Sequence, residues 1–280
     1  MTLIIEKETH ARNIHKFVIK SPLIARHAKP GQFVVIRAFE KSERIPITIC
    51  DKDAKNGTIT LYIQEVGAST ARIAGLKEGE NFLDIAGPLG RPAHITKVGK
   101  VITIGGGVGS AITYPETKAY KESGNYVISI MGFRSKDHVI LEDEMKVVSD
   151  EAYITTDDGS YKEKGFVTDK LREIIKRGDK IDEVLVIGPA IMMKVVSDIT
   201  KEHKIKTIAS LNSIMVDGTG MCGACRVEVG GKTKFACVDG PEFDAHQVDF
   251  DLLLKRIAMY ADEEKESYEK ITGKDKDGKE

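Results

Sequence analysis
The chain reads as a β plus α/β protein. A small antiparallel β-barrel comes first, then a doubly wound unit with a parallel sheet, then a short cysteine-bearing segment. Three observations predict this. Short β-branched runs punctuated by turn residues fill positions 1 to about 95, the pattern of an antiparallel sheet that closes on itself. From position 98 the strands become apolar throughout and alternate with helical stretches, as strands buried on both faces do. Three of the four cysteines then fall between positions 222 and 237.

In chain order, Thr2–Lys7 and Ile14–Lys20 are the first strands, and Gly31–Arg37 follows a Pro30-Gly31 turn. Ile45–Cys50 and Thr58–Gln64 come next, the second entered by an Asn56-Gly57 hairpin signal. In Arg44-Ile45-Pro46-Ile47-Thr48, a period of two sets Arg44, Pro46 and Thr48 on one side of the strand. An arginine there can grip a phosphate and the threonine hydroxyl can meet a ring nitrogen, although a plain surface strand fits the same residues. Gly67-Ala68-Ser69-Thr70 precedes Ala71–Ala74, a short helix start, and reads either as a phosphate site or as an ordinary cap.

Lys100–Ile104 is a buried strand running into Gly105-Gly106-Gly107-Val108-Gly109-Ser110 and a helix. A glycine run in that place lets backbone approach a pyrophosphate, while a tight turn of small residues is the bland alternative. Tyr126–Met131 and Glu183–Ile187 are further parallel strands, the second ending at Gly188-Pro189 ahead of Met192 and Met193. Apolar Leu252, Leu253, Ile257 and Tyr260 fall at helical spacing within Asp249–Tyr260, and the last dozen residues are expected to fray.

Composition excludes several classes. At 280 residues, 41% apolar and net charge −1, the chain has room for two domains and no basic face for nucleic acid. No apolar run approaches the roughly 18 residues of a membrane span. With no secretory signal in the sequence, the expected compartment is the cytoplasm, where thiols stay reduced.

The most specific signal is Asp217-x4-Cys222-x2-Cys225, with Cys237 twelve residues on. It matches the spacing that holds a plant-type [2Fe–2S] cluster, with aspartate in the first cysteine's place. Gly218, Gly220 and Gly223 give the loop the freedom to bend round a cluster. Two alternatives stay open: a zinc site using Cys222, Cys225, Cys237 and His246, and three inert buried thiols. Cys50 has no evident partner.

These motifs, in this order, resemble the ferredoxin–NADP⁺ reductase superfamily, in the branch with a C-terminal [2Fe–2S] site. The resemblance spans residues 1 to about 260. Within that branch the chain is similar to electron-transfer subunits of dihydroorotate dehydrogenase, and more so to small subunits of NADH-dependent reduced ferredoxin:NADP⁺ oxidoreductases, where aspartate takes the first ligand place. The resemblance implies an FAD-binding barrel over 1–97, an NAD(P)-binding domain over 98–212, a [2Fe–2S] segment over 213–250, and a C-terminal helix and tail over 251–280. It implies that Arg44, Ile45, Pro46, Ile47, Thr48, Gly67, Ala68, Ser69 and Thr70 bind FAD, with Tyr62, Ile63 and Gln64 along the flavin. Thr48 would be the residue nearest the hydride-transfer chemistry. Gly105, Gly106, Gly107, Val108, Gly109, Ser110, Asp157, Asp158, Gly188 and Pro189 would frame NAD(H), and Asp217, Cys222, Cys225 and Cys237 would ligate the cluster. It further implies a heterodimer with a larger flavin and [4Fe–4S] reductase subunit, electron bifurcation, and ferredoxin as a partner through the complex. A dihydroorotate dehydrogenase partner and a zinc-stabilised binding module are the alternatives. The helix after Asp249 is the expected docking surface.

Overall fold
A computed structural model describes residues 2–273. Strands β1 (Ile4–Ala11), β2 (Ile14–Lys20), β3 (Phe33–Arg37), β4 (Ile45–Asp53), β5 (Thr58–Gln64) and β6 (Asp84–Leu89) form one antiparallel sheet in the order β1-β2-β5-β4-β3-β6. The sheet curls until its ends meet, where Leu3 bridges Asn81 and the Ile4 amide donates to Glu80 O at 2.8 Å. Inward side chains of alternate residues, among them Phe17, Ile19, Val34, Ile36, Leu61 and Ile63, fill the barrel. Two short helices decorate it, α1 (Pro22–His27) and α2 (Ala68–Ala74). Five of the six strands were readable from the sequence. β6 was not, because its Gly87-Pro88 pair has the look of a turn, and proline is tolerated only where a strand can spare a donor.

The second unit runs β7 (Lys100–Gly106), α3 (Gly109–Glu122), β8 (Tyr126–Phe133), α4 (Glu142–Val147), β9 (Glu151–Thr156), β10 (Glu163–Lys164), α5 (Val167–Lys176), β11 (Glu183–Ile187), α6 (Ala190–Glu202) and β12 (Lys206–Ser210). The sheet order is β10-β9-β8-β7-β11-β12, all parallel. Residues 102, 104, 128, 130, 184 and 186 face α5 and α6, while 101, 127, 185 and 187 face Tyr120 of α3. Both faces are covered, which explains strands without polar alternation.

The remaining chain forms a hairpin of β13 (Arg226–Val229) and β14 (Lys232–Phe235), a one-turn helix α7 (Ala236–Asp239), and strand β15 (Glu242–Asp244). β15 pairs antiparallel with β12 and becomes the seventh strand of the parallel sheet. Helix α8 (Phe250–Ile257) buries Phe250 and Leu253 against the α6 side of the core, so much of the face expected to dock a partner is used within the chain. Leu252, Met259 and Tyr260 stay exposed. A 3₁₀ turn leads into α9 (Ala261–Thr272), which packs on α2 of the barrel with Tyr268 buried. The fraying expected from 269 onward is thus corrected as far as Thr272; positions 274–280 lie outside the described residues.

Candidate functional site
The barrel's β4 carries Arg44, just ahead of the strand, and then Pro46, Thr48 and Cys50 on its outer face, with Ile45, Ile47 and Ile49 turned inward. Ile45, Ile47 and Ile63 therefore offer a ligand only their backbone. Thr48 pairs with Phe33 and Pro46 with Val35 on β3, and directly opposed residues in an antiparallel pair share a face. Helix α2 begins at Ala68, three residues earlier than its apolar pattern suggested, which puts Ser69 and Thr70 in its first turn. The Thr70 hydroxyl accepts from the Val66 and Gly67 amides, both at 3.0 Å. The Ser69 hydroxyl donates to the carboxylate of Glu43, which ties this turn to the residue beside Arg44. The structure thus joins the two stretches expected to hold FAD.

Tyr62 lies on the outside of the barrel, buried at its junction with the second unit in one group with Cys50, Ala111 of α3 and Met131 of β8. The His10 ring meets it edge-on at 5.5 Å between centroids. Burial raises the Tyr62 phenol above its usual range and pushes the Cys50 thiol up to about 12. Cys50 is therefore a packing residue of this junction, a role its sequence context did not show.

The glycine loop lies where the strand order reverses, between β7 and β11, at the carboxyl ends of both strands. Open α/β sheets bind ligands at that point. Gly105 pairs with Ile187, so the 105–110 loop and the Gly188-Pro189 turn touch. A Cβ on Gly109 would stand 2.4 Å from Ile187 O, and one on Gly188 would stand 2.5 Å from Met192 Cε. Gly107, with φ +58, faces open space, and the Ser110 hydroxyl at the start of α3 is buried without a hydrogen-bond partner. Glycine is required here by backbone approach, and the one open glycine marks where a ligand's phosphate can enter. Met192 roofs the two turns, a place that its sequence context does not mark. Asp157 and Asp158 lie further along the same edge, beyond β8, where their amides donate to Phe133 O and Arg134 O. Burial raises the Asp157 carboxyl, while the Ser160 contacts lower that of Asp158.

In the cysteine segment the Cys225 and Cys237 sulfurs are 3.2 Å apart and both are buried. Asp217 and Cys222 lie on the outer loop, where Asp217 accepts from the Thr219 amide at 2.9 Å and the Cys222 amide at 3.2 Å. Gly218, Gly220 and Gly223 all have positive φ. Among the described residues no three His, Cys, Asp or Glu side chains converge as a single metal ion requires. His246 turns instead to Thr200 Oγ1, at 3.1 Å, which removes the imidazole that a zinc reading needs. Two donors deep and two outside fit a binuclear cluster, which asks for only two protein ligands at each iron.

The same segment packs on the barrel. Phe33 and Val35 form one buried group with Cys225, Ala236 and Cys237. A Cβ on Gly218 would meet Leu89 Cδ1 at 2.8 Å and Val35 Cγ2 at 3.0 Å. Arg91 at the end of the barrel donates through Nε to Val238 O at 3.1 Å. Thr48 accordingly stands one strand spacing, about 4.8 Å, from the row that carries the cysteine loop, and one residue pair from Cys50 on the α3 side.

Comparison with known proteins finds relatives over most of the chain. Residues 212–249 match the family model for the iron–sulfur cluster binding domain of dihydroorotate dehydrogenase B. A dihydroorotate dehydrogenase B (NAD(+)) electron transfer subunit homolog from Thermotoga maritima is 48% identical, over 96% of this chain and 94% of its own length. The electron transfer subunit from Fusobacterium nucleatum is 34% identical, over 86% and 95%. A chain in the structure of an NADH-dependent reduced ferredoxin-NADP oxidoreductase, solved in a study of flavin-based electron bifurcation, superposes with a TM-score of 0.91. It is 47% identical, over 96% of this chain and 97% of that chain. The chain therefore belongs to the family of dihydroorotate dehydrogenase B electron transfer subunits and their homologs.

Proposed function
We propose that this chain is a flavin and iron–sulfur electron-transfer subunit that exchanges hydride with NAD(H) and passes single electrons to a partner subunit. The observation that carries this reading is the place of Thr48, between the α3 junction and the strand on which Cys225 and Cys237 pack. Bound FAD supplies the change from two-electron to one-electron chemistry, and a [2Fe–2S] cluster supplies the one-electron exit. In this reading Arg44 and the 67–70 turn hold the flavin's phosphates, and the outer face of Pro46 and Thr48 supports its ring. The 105–110 loop and Gly188-Pro189 would hold the dinucleotide that supplies the hydride. Asp157 and Asp158 border the dinucleotide on the β9 side. Cys225 and Cys237 would hold the inner iron and Asp217 and Cys222 the outer one, with Cys222 exposed toward a partner.

As a member of a subunit family, the chain works with a partner protein. Its 47% identity to a chain of the bifurcating oxidoreductase supports a larger flavin and [4Fe–4S] subunit in that place, with ferredoxin served through the complex. The family model's match favours a second reading, in which the partner is a dihydroorotate dehydrogenase.

The test is flavin, iron and sulfide analysis of the purified chain, followed by anaerobic NADH addition with EPR detection. Roughly equimolar FAD, a two-iron cluster and an EPR signal after NADH are expected, and Asp217→Ala is expected to change that signal. A colourless preparation would sink the reading. Identification of the co-purified partner separates the two alternatives.

A further inference from the structure
Glu116 lies on the inner side of α3, 1% exposed, and neither of its carboxylate oxygens has a hydrogen-bond partner. Glu242 on β15 sets its carboxyl against that of Glu116, with Oε1 toward the barrel turn at Gly31. That oxygen is also sealed from solvent and unpartnered, and it lies 2.7 Å from where a Cβ of Gly31 would stand. Two carboxylates cannot hydrogen-bond each other, because both only accept; a proton on either one supplies the missing donor.

Among the described residues no cation figures in what acts on these two carboxyls. Glu183 of β11 adds a third carboxyl whose charge acts on both, and it is itself satisfied by the Tyr120 hydroxyl of α3 and the Lys206 ammonium of β12. The barrel turn contributes Gly31 and Ala93, which carry no charge. A metal ion would need more ligands than two, and among the described residues no third His, Cys, Asp or Glu completes a cage.

We propose that Glu116 and Glu242 form a buried one-proton site where the barrel, the nucleotide-binding unit and the cysteine segment meet, and that its ionisation loosens this junction. Each contact leads to a chemical element of the molecule. α3 starts at the glycine loop, Gly31 precedes the Phe33 that pairs with Thr48, and Glu242 follows Cys237 by five positions. Burial, followed by the charges of Glu242 and Glu183, raises the Glu116 carboxyl well above the carboxylate range, while burial and the Glu183 charge push Glu242 up to about 7 even though the Glu116 contact lowers it. A carboxyl whose folded value is raised keeps its full contribution to stability below the ordinary value of about 4.3, and loses it as pH rises through the folded value. The stabilisation therefore fades from neutral into alkaline pH, as first Glu242 and then Glu116 gives up its proton.

The experiment compares the full chain, cofactors bound, with Glu116→Gln, which keeps the shape and supplies a permanent donor. Melting temperatures are read at several pH values between about 5.5 and 8.5, with infrared spectra of both proteins. The variant is expected to melt about 2 to 4 °C above wild type at the alkaline end, with the gap closing toward acid. The wild-type infrared band of a protonated carboxyl at neutral pH is expected to be missing in the variant. A gap independent of pH would overturn the proposal, as would an unchanged carboxyl band. A wild-type melting temperature raised at alkaline pH by added potassium or magnesium would replace the proton with a metal. Should Glu116→Gln fail to fold, Glu242→Gln and the wild-type pH series of the infrared band decide the matter. None of these readouts depends on which cofactors are bound, so failure here stays distinct from failure of the electron-transfer reading.

Discussion

At the scale of single residues, the nucleotide loop separates two reasons for glycine. Gly109 is close-packed: a Cβ there would stand 2.4 Å from the Ile187 carbonyl oxygen, and neither backbone can yield. Gly107 has room on every side but a φ of +58, which L-residues enter at a cost. Gly109→Ala is expected to destabilise by about 1–3 kcal/mol through overpacking, and Gly107→Ala by about 1–2 kcal/mol through backbone strain. Urea denaturation measures both. Asparagine tolerates the left-handed region, so Gly107→Asn should recover stability while Gly109→Asn should not; equal recovery at the two sites would contradict the distinction.

At the scale of elements, α2 shows how little sequence is needed to shape a ligand turn. Thr70 satisfies two amides ahead of the helix and returns a hydrogen bond to Gly67 O, while Ser69 reaches across to Glu43. Removing the hydroxyl in Thr70→Ala leaves those amides without their acceptor, at about 1 kcal/mol. The variant is expected to retain less FAD on gel filtration, and Thr70→Ser to retain as much as wild type. Full occupancy in the alanine variant would detach this turn from flavin binding. The docking of α9 on α2 gives the same turn a second support, contributed by the far end of the chain.

At the scale of the whole molecule, the barrel is gripped from two sides. The second unit meets it through Ile14, Cys50 and Tyr62, and the cysteine segment meets it through Phe33 and Val35. Phe33 is 3% exposed, and Phe33→Ala is expected to cost about 3–5 kcal/mol. Because this ring touches the cysteine side, iron should be lost on heating before flavin is, as metal and flavin assays on the same samples would show. Flavin leaving first would mean that Phe33 supports the flavin strand more than the cluster loop.

The fold class, the glycine loop at its strand end and the cysteine spacing were written in the chain itself, because each rests on local periodicity or on short loops that bring their own residues together. Strand β4 likewise showed its alternation before any contact was known. Helix α9 and strands β6 and β15 were not legible, since a polar helix, a Gly-Pro strand and a three-residue strand acquire their form from what they lie against. The same holds for Cys50 at the junction, for Met192 over the glycine turns, and for Glu116 beside Glu242. The last pair is 126 positions apart in the chain, and no pattern along a sequence encodes a meeting of that range. Local order came from the residues in sequence, whereas the neighbourhood of Thr48 came from packing three units against one sheet.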